Sequence, residues 1–355
     1  MTVVGIVGAG TMGAGIAQVV LAAGDEVVVH DVDPAAIDLA RQRIRSGLER
    51  MAPGDDPDVT NAVLARLRVA TTLDAVAAEA EIVIEAAIED LALKRSIIRT
   101  LDQEAAPDVI LATNTSALSV ADIAAAAARP GRALGLHFFN PVPRMQLVEV
   151  VRHGSVNDTV VQRAMALVSG WGKVPVLCQD TPGFIVNRVN RPYTIAALRL
   201  LEVGEGDIAS IDAALRDAGF PMGPFELMDL IGIDVNLAAA TAVWEGLGRP
   251  ERLRPSPIQV RLVEAGHLGR KTGEGFYRYE DGRSVGPAVD VEVVAEPVDP
   301  PRDVAAAIIA AVDAEARLAR DEGVAGPAQI DLAMRLGAGH PMGPFERASD
   351  AGSTD

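Results

Sequence analysis

One short stretch near the start, Gly8-Ala9-Gly10-Thr11-Met12-Gly13, constrains the fold of this 355-residue chain more than any other. It directly follows a β-branched run, Val3–Val7, and directly precedes a segment of helix-forming residues. In this context the glycines allow a tight turn, a close approach of the backbone to a pyrophosphate, and close packing of helix on strand. The pattern predicts a dinucleotide-binding strand–turn–helix in which Gly8, Gly10, Thr11, Met12 and Gly13 contact the cofactor.

A carboxylate stands where such a fold would bind ribose. The predicted second strand ends at His30, and Asp31 follows it, 18 positions beyond Gly13. A carboxylate at that point accepts hydrogen bonds from the ribose 2′-hydroxyl and repels a 2′-phosphate. Asp31 therefore favours NAD over NADP.

The chain alternates short apolar runs with helical segments as far as residue 178, which indicates one doubly wound α/β domain. The strand candidates are Val3–Val7, Glu26–His30, Ile82–Ala86, Val109–Thr113, Ala133–Phe138, Leu147–Val151 and Val174–Leu177. Beyond that point the segments are helical. We expect a Rossmann-type domain at 1–180, an all-α domain at 181–280, a proline-rich linker at 281–301 and a further helical segment at 302–355.

The last segment repeats part of the all-α domain. The sequence Ile211-Asp212-Ala213-Ala214-Leu215-Arg216, followed by Gly219 and then PMGPFE, returns as Ile330-Asp331-Leu332-Ala333-Met334-Arg335, followed by Gly339 and PMGPFE. An uncommon hexapeptide in both copies indicates a duplicated helical module, of which the second copy is partial. We expect the hexapeptide to be structural in each copy.

Composition excludes several classes of function. The formal charge of −17 opposes binding to nucleic acid or to an anionic membrane. The single cysteine, Cys178, allows no internal disulfide, and no cluster has metal-ligand spacing, so no metal is expected. The apolar runs are too short for a membrane span and no signal peptide is recognisable, so the cytoplasm is the expected compartment.

His137 lies inside an apolar run, Gly135-Leu136-His137-Phe138-Phe139-Asn140-Pro141, at the end of a predicted strand. Twelve positions later, Glu149 lies inside another apolar run, Leu147–Val151. Each side chain needs a partner if it is buried, and a His–Glu pair would meet both needs. From spacing alone, a catalytic general base with its orienting acid and a purely structural buried pair are both open.

At this point the sequence resembles the 3-hydroxyacyl-CoA dehydrogenase family, of the 3-hydroxybutyryl-CoA type. The resemblance runs from Val3 to Tyr279 through the motifs GAGTMGAGIAQ, EAAIED, ATNTSALSV, GLHFFNPVPRMQLVEV, DTPGFIVNR, GFPMGPFELMD and RKTGEGFY. It implies reversible NAD-dependent oxidation of L-3-hydroxyacyl-CoA to 3-ketoacyl-CoA in fatty-acid or β-oxidation metabolism. It also implies an acyl-CoA substrate and a homodimer formed through the helical domains.

The resemblance implies a role for individual residues. His137 matches the general base, Glu149 its orienting partner, and Asn140 an active-site asparagine. Ser116 and Asn187 match residues that contact the substrate. The cofactor side adds residues to the glycine-rich loop, namely Asp31, Glu89, Lys94 and Asn114. Two of these positions have a plainer reading, since Asn114 and Ser116 could cap the following helix and Lys94 could be a solvated helix charge.

Several alternatives stay open. A gulonate-type dehydrogenase, a 3-hydroxyadipyl-CoA-type dehydrogenase and a noncatalytic NAD-binding protein fit parts of the pattern. A β-hydroxyacid dehydrogenase is disfavoured, because that group uses a lysine where this chain has His137 and Glu149. Residues 34–73 could form a helical arm over the acyl-CoA, with Arg41, Arg43, Arg45 and Arg50 either at CoA phosphates or on a solvated face. Acyl length is not readable from the sequence.

Overall fold

The computed structural model describes residues 1–51, 57–288 and 303–352. The chain forms two compact units, Met1–Thr181 and Pro182–Asp355. This division follows the predicted change from alternating strands and helices to mainly helical segments. The predicted fold class, a Rossmann-type domain followed by a helical domain, is confirmed.

A mixed sheet forms the centre of the first unit. Its strands within the described residues are β1 (Val3–Val7), β2 (Glu26–His30), β3 (Leu67–Val69), β4 (Ile82–Glu85), β5 (Ile110–Thr113), β6 (Ala133–Phe138), β7 (Leu147–Arg152) and β8 (Val174–Gln179). Their spatial order is β3-β2-β1-β4-β5-β6-β7-β8. The pairs are parallel except for β6 and β7, which run antiparallel.

Helices separate most of the strands. They are α1 (Thr11–Ala22), α2 (Pro34–Glu49), α3 (Pro57–Leu64), α4 (Leu73–Glu79), α5 (Leu91–Glu104), α6 (Val120–Ala124) and α7 (Asp158–Gly170), with a 3-10 turn at Pro130–Arg132. Buried apolar side chains form two clusters in this unit. Sheet strands covered on both faces become near-continuous hydrophobic runs, which explains the apolar residues of β1 and of positions 82–84 in β4.

The sheet differs from the sequence expectation in two respects. The short strand β3 was not predicted, because three residues are too few to show the alternation that marks a strand. The antiparallel pairing of β6 with β7 was also not predicted. Only eight residues separate these strands, too few for the crossover of a dozen or more residues that parallel neighbours need.

The second unit is mainly helical. Its helices are α8 (Val186–Val189), α9 (Arg191–Glu202), α10 (Ile208–Asp217), α11 (Pro224–Ile231), α12 (Ile233–Gly246), α13 (Pro257–Glu264), α14 (Val304–Asp321), α15 (Pro327–Ala338) and α16 (Pro344–Gly352), with 3-10 turns at Glu251–Leu253 and Arg270–Thr272. A hairpin of β9 (Tyr277–Glu280) and β10 (Arg283–Pro287) is added to them. Residues 283–287 of the predicted linker form β10, whereas residues 289–301 lie outside the described residues. The linker bounds stay a prediction.

The duplicated hexapeptide builds the same helix start in both copies. In the first copy, Asp212 accepts hydrogen bonds from the N–H groups of Phe225 (2.9 Å) and Glu226 (3.1 Å) at the start of α11. The side chain of Glu226 in turn accepts from the N–H of Gly223 at 3.2 Å. These contacts satisfy N–H groups that the first turn of a helix leaves without partners.

The second copy repeats these bonds at α16. Asp331 accepts from the N–H of Phe345 at 2.8 Å, and Glu346 accepts from the N–H of Gly343 at 2.8 Å. The equivalent residues therefore make equivalent contacts. This geometry supports the expectation that the hexapeptide has a structural role in each copy.

Among the described residues, no single helix is both long enough and apolar enough to cross a bilayer. Together α11 and α12 reach the required length and hydropathy, but they are bent by 102° at the break between them.

The close packing of Gly223 against Asp212 gives a stability prediction. A Cβ atom at residue 223 would lie 2.2 Å from Oδ1 of Asp212, so Gly223→Ala must displace the carboxylate that caps α11. We expect the free energy of unfolding to fall by about 2 kcal/mol, the usual cost of leaving buried N–H groups unpaired. Calorimetry would measure the loss. Gly170→Ala is the control, since a Cβ there meets nothing within 4 Å; equal stability of the two variants would contradict this role.

Candidate active site

A histidine and a glutamate face each other across β6 and β7. The antiparallel register places His137 directly opposite Glu149, and Nδ1 of His137 lies 2.6 Å from Oε2 of Glu149. The side chain of His137 is 8% exposed and that of Glu149 is fully buried. The carboxylate therefore fixes the orientation of the ring and favours a proton on Nδ1. The contact expected from the burial of both side chains is present.

Polar residues surround the end of β6 that carries His137. The side-chain oxygen of Asn114, which follows β5, accepts a hydrogen bond from the N–H of Phe138 at 2.9 Å. The rings of His137 and Phe139 lie 4.4 Å apart, centroid to centroid. Asn114 thus connects the end of β5 to the end of β6. On the other side of β6, Glu149 of β7 contacts His137.

Glu89 holds the loop that carries Ser116. One carboxylate oxygen of Glu89 accepts from the hydroxyl of Thr115 (2.7 Å), the N–H (2.9 Å) and hydroxyl (3.3 Å) of Ser116, and the N–H of Ala117 (3.1 Å). Partial burial raises the pKa of Glu89, but these donors and the charge of Lys94 outweigh it and leave the pKa below its ordinary value. Glu89 is therefore ionised at neutral pH and fixes the backbone on which Ser116 is exposed.

Lys94 is not a solvated helix charge. Its side chain is 1% exposed, and Nζ lies 2.9 and 3.1 Å from the two oxygens of Glu85 and 3.4 Å from Glu89. Glu85 also accepts from the hydroxyl of Thr113 (2.6 Å) and the N–H of Ala87 (2.7 Å). The buried charges are therefore paired and hydrogen-bonded, which offsets much of their desolvation cost.

Sequence analysis missed Glu85. The signal was available, because Glu85 ends the apolar run Ile82-Val83-Ile84 and thus lies in a setting like that of Glu149. It is fully buried at the end of β4, next to β5, and it holds Lys94 in position. Glu85, Lys94 and Glu89 together form a chain of charges from the sheet interior to the Ser116 loop.

The glycine-rich loop fits a dinucleotide. Gly8 has φ +103°, and a Cβ at Gly13 would lie 1.8 Å from the carbonyl oxygen of Gly8, so helix and turn pack as the motif requires. A Cβ at Gly10 would meet nothing within 4 Å, which leaves open space above the loop. Gly10 begins α1 without a side-chain cap, so the first N–H groups, at Thr11 and Met12, can bind phosphate.

Asp31 is joined to this loop. Its Oδ2 accepts from the N–H of Ala9 at 2.7 Å, and its Oδ1 accepts from the N–H of Asp33 at 2.9 Å. A carboxylate oxygen has a second lone pair, so both can still receive ribose hydroxyls. The position and acceptor chemistry of Asp31 therefore fit the adenosine ribose of NAD.

Asn140 lies in a separate cleft of the first unit. The cleft has a volume of about 660 Å³ and runs between α1, α2 and the loop after β6. Three arginines line it, Arg43, Arg50 and Arg144, beside Asn140 and Thr11. A cluster of three cations is unusual in a chain with a net charge of −17, and it favours an anionic ligand.

Of the predicted substrate contacts, Asn187 is the one outside the first unit. It lies in α8, the four-residue helix near the start of the second unit. His137, Glu149, Ser116, Asn140, Glu89, Lys94, Asn114 and Asp31 all belong to the first unit. Their functional roles stay predictions.

Comparison with known proteins covers both units. The family model described as "3-hydroxyacyl-CoA dehydrogenase, NAD binding domain" matches residues 3–181. The model described as "3-hydroxyacyl-CoA dehydrogenase, C-terminal domain" matches residues 183–279 and 304–354. The second match includes the region of the repeated hexapeptide.

Individual relatives agree with the family models. A 3-hydroxyadipyl-CoA dehydrogenase of Escherichia coli (strain K12) is 44% identical over 300 residues, which are 84% of this chain and 62% of that protein. A probable 3-hydroxybutyryl-CoA dehydrogenase of Deinococcus radiodurans is 39% identical over 277 residues, which are 78% of this chain and 99% of that protein. The crystal structure of a 3-hydroxybutyryl-CoA dehydrogenase from Escherichia coli K12 has a TM-score of 0.89 at 34% identity, covering 99% of this chain and 91% of the other.

The contacts of Asp31 predict its effect on cofactor binding. We expect Asp31→Ala to weaken NADH binding by about 10- to 100-fold, because hydrogen bonds to a charged group contribute about 1.5–3 kcal/mol. Titration of NADH fluorescence would measure the dissociation constant. Asp33→Ala is the matched control, since Asp33 caps α2 through Ala35 and its loss should lower stability only. Unchanged NADH affinity in the Asp31 variant would exclude the ribose role.

Proposed function

The chain belongs to the 3-hydroxyacyl-CoA dehydrogenase family, and from this premise we propose that it interconverts short-chain L-3-hydroxyacyl-CoA and 3-ketoacyl-CoA, with His137 exchanging the proton. It is an NAD-dependent oxidoreductase with an acyl-CoA substrate. The observation that carries the proposed role is the 2.6 Å contact between Nδ1 of His137 and Glu149 at the end of β6. Doubly wound sheets bind their ligands beyond the carboxyl ends of their strands, where His137 lies.

His137 acts as a general base in the oxidising direction. Glu149 engages Nδ1, so we assign the proton exchange to Nε2. As the 3-hydroxyl gives its proton to Nε2, the buried carboxylate of Glu149 stabilises the imidazolium that forms. Bound NAD would supply the hydride acceptor at its nicotinamide ring. In the reducing direction His137 returns the proton and acts as the acid.

Three polar residues orient the substrate in this proposal. Glu89 holds the backbone of Ser116, and with substrate bound the hydroxyl of Ser116 turns from Glu89 to donate to the substrate oxygen. Asn187 and Asn140 bind the thioester region. Fixed donors of this kind lower the barrier by keeping the reacting carbon in line with the cofactor. Glu85 and Lys94 act indirectly, since they hold Glu89 and the end of β4 in place.

The His–Glu pair predicts unequal losses on substitution. His137→Gln should lower the turnover of acetoacetyl-CoA by about 10²- to 10⁴-fold, the usual contribution of a general acid–base group, while NADH affinity stays within twofold. Glu149→Gln should retain more activity, because the ring keeps a hydrogen-bonding partner but loses the countercharge. Stopped-flow oxidation of NADH at 340 nm would measure both rates. A near-normal rate for His137→Gln would remove His137 from the mechanism.

The arginine-lined cleft is the proposed binding site for the phosphates of coenzyme A. Guanidinium groups bind phosphate through paired, charge-assisted hydrogen bonds, and Arg43, Arg50 and Arg144 bring three of them to one cleft. Asn140 lines the same cleft and also follows the strand that carries His137. The cleft therefore joins the anionic end of an acyl-CoA to the edge of the sheet that carries the reactive residues.

This site predicts a change in KM. We expect Arg50→Ala to raise the KM for acetoacetyl-CoA by about 10-fold with little change in kcat, because the phosphates are bound equally in ground and transition states. Acetoacetyl-pantetheine, which lacks these phosphates, should show no difference between wild type and variant. Arg45→Ala is the control, because Arg45 lies on the same helix but bonds Asn61. A change in NADH affinity without a change in the KM for acyl-CoA would assign the cleft to the cofactor instead.

The proposed substrates include both 3-hydroxybutyryl-CoA and 3-hydroxyadipyl-CoA. Similar proteins carry each of these names, which supports a short acyl chain with or without a terminal carboxylate. The alternative activity is that of a gulonate-type dehydrogenase. Turnover with acyl-CoA but not with gulonate would separate the two activities.

We also propose a cytoplasmic location and retain the homodimer through the helical domains as a proposal. The single cysteine, Cys178, is buried and allows no internal disulfide, in keeping with a reducing compartment. Within the second unit the two copies of the hexapeptide region meet, with the rings of Phe220 and His340 4.9 Å apart. The chain thus supplies internally one contact between two helical modules.

A further inference from the structure

The position of the short helix α8 matters for the proposed active site. It has four residues, Val186–Val189, and carries Asn187, which we have proposed as a substrate contact. A single helical turn has little stability of its own. Its position must therefore be set by whatever packs against it.

One anchor of α8 is a buried ion pair with the second copy of the module. Arg188, next to Asn187, is 0% exposed, and its Nε lies 2.9 Å from Oε1 of Glu315 on α14. Its Nη1 lies 2.7 Å from Oε2 of Glu322, seven residues further along the same helix face. Among the described residues, these are the only carboxylates paired with Arg188. Glu315 also binds Arg252 at 2.7 Å, so it is held between two arginines.

A second anchor lies at the end of α8, three residues after Asn187. Nε2 of His340 lies 2.9 Å from Oδ1 of Asn190, the residue that ends α8. Burial lowers the pKa of His340 to about 3, so the ring is neutral at neutral pH and has a single N–H. That N–H must be the group that donates to Oδ1 of Asn190. Nδ1 has no partner within the described part of the chain, which places the proton on Nε2. At the equivalent position of the first copy stands Phe220, which could not make this contact.

We propose that the second copy of the helical module positions the substrate side of the active site, with Glu315 and His340 fixing α8 and hence Asn187. The two contacts lie one and three residues beyond Asn187 and come from separate elements of the second copy. Glu315 and His340 are positioning residues, since they act through Arg188 and Asn190. The inference rests on the proposed role of Asn187.

The first test replaces Glu315 by the isosteric glutamine. Without the charge of Glu315, the buried Arg188 would keep only the half-exposed Glu322 as a countercharge, which would shift α8. A misplacement of about 1 Å can cost up to about 100-fold in rate. We expect Glu315→Gln to lower kcat with acetoacetyl-CoA by about 10-fold or more, with NADH affinity within twofold of wild type. Asp313→Asn is the matched control. Asp313 lies on the same helix, but its partner is Arg347 within the second copy, so this variant should lose thermal stability without losing kcat.

A double-mutant cycle separates positioning from general damage. If Glu315 acts through Asn187, then Glu315→Gln should cost little further activity in an Asn187→Ala background. If the losses in kcat multiply, or if Asp313→Asn lowers kcat as much as Glu315→Gln, the inference is overturned. His340→Phe, which installs the residue of the first copy, is the second variant should Glu315→Gln fold poorly; it should lower kcat in the same direction, and a normal kcat would count against the inference.

Failure of the proposed reaction and failure of this inference give different results. Wild-type oxidation of NADH with acetoacetyl-CoA tests the reaction by itself, and every variant is scored against that rate. Absence of wild-type turnover would overturn the proposed function. Normal turnover with additive variants would overturn only the positioning by the second copy.

Discussion

The contact between His137 and Glu149 is the interaction on which the rest of the active site depends. Neither side chain could be buried alone without a large desolvation cost, and each is the partner that removes this cost for the other. The pair exists because β6 and β7 run antiparallel in a sheet that is otherwise parallel. In that register the two residues lie directly opposite each other. A shift by one residue would turn one side chain to the opposite face of the sheet.

A second set of charges supports the neighbouring strands. Glu85 at the end of β4 holds Lys94, and Lys94 lies beside Glu89, which binds the loop of Ser116. These groups and His137 lie at the ends of adjacent strands, so the sheet brings together residues that are distant in the sequence. Because Glu85 and Lys94 are buried and fully engaged, the geometry of this edge is rigid before any ligand binds. The arrangement suits a reaction that depends on alignment.

The helical unit shows how a duplicated segment can diverge in use. Both copies keep the capping contacts of Asp212 and Asp331 at their helix starts, since these contacts are needed for folding. The second copy also contacts α8 and its end through His340, where the first copy has Phe220, and through Glu315; these bind Asn190 and Arg188, which follow Asn187 in the chain. The capping contacts are therefore the same in both copies, whereas the contacts near Asn187 differ. This difference is expected if the two sets of contacts have separate roles.

The sequence by itself determined the type of fold, the cofactor class and the identity of the two central residues. Gly8, Gly10 and Gly13 act through local backbone geometry, and the apolar runs around His137 and Glu149 signal burial, so these features are readable from a few adjacent positions. Only the tertiary structure decided the antiparallel register of β6 and β7, the burial of Lys94 and the function of Glu85 as its partner. It also decided the hairpin of β9 and β10. Each of these features depends on which distant segments of the chain pack together. The free energy of the whole core decides that packing, so it cannot be read from one short stretch of sequence.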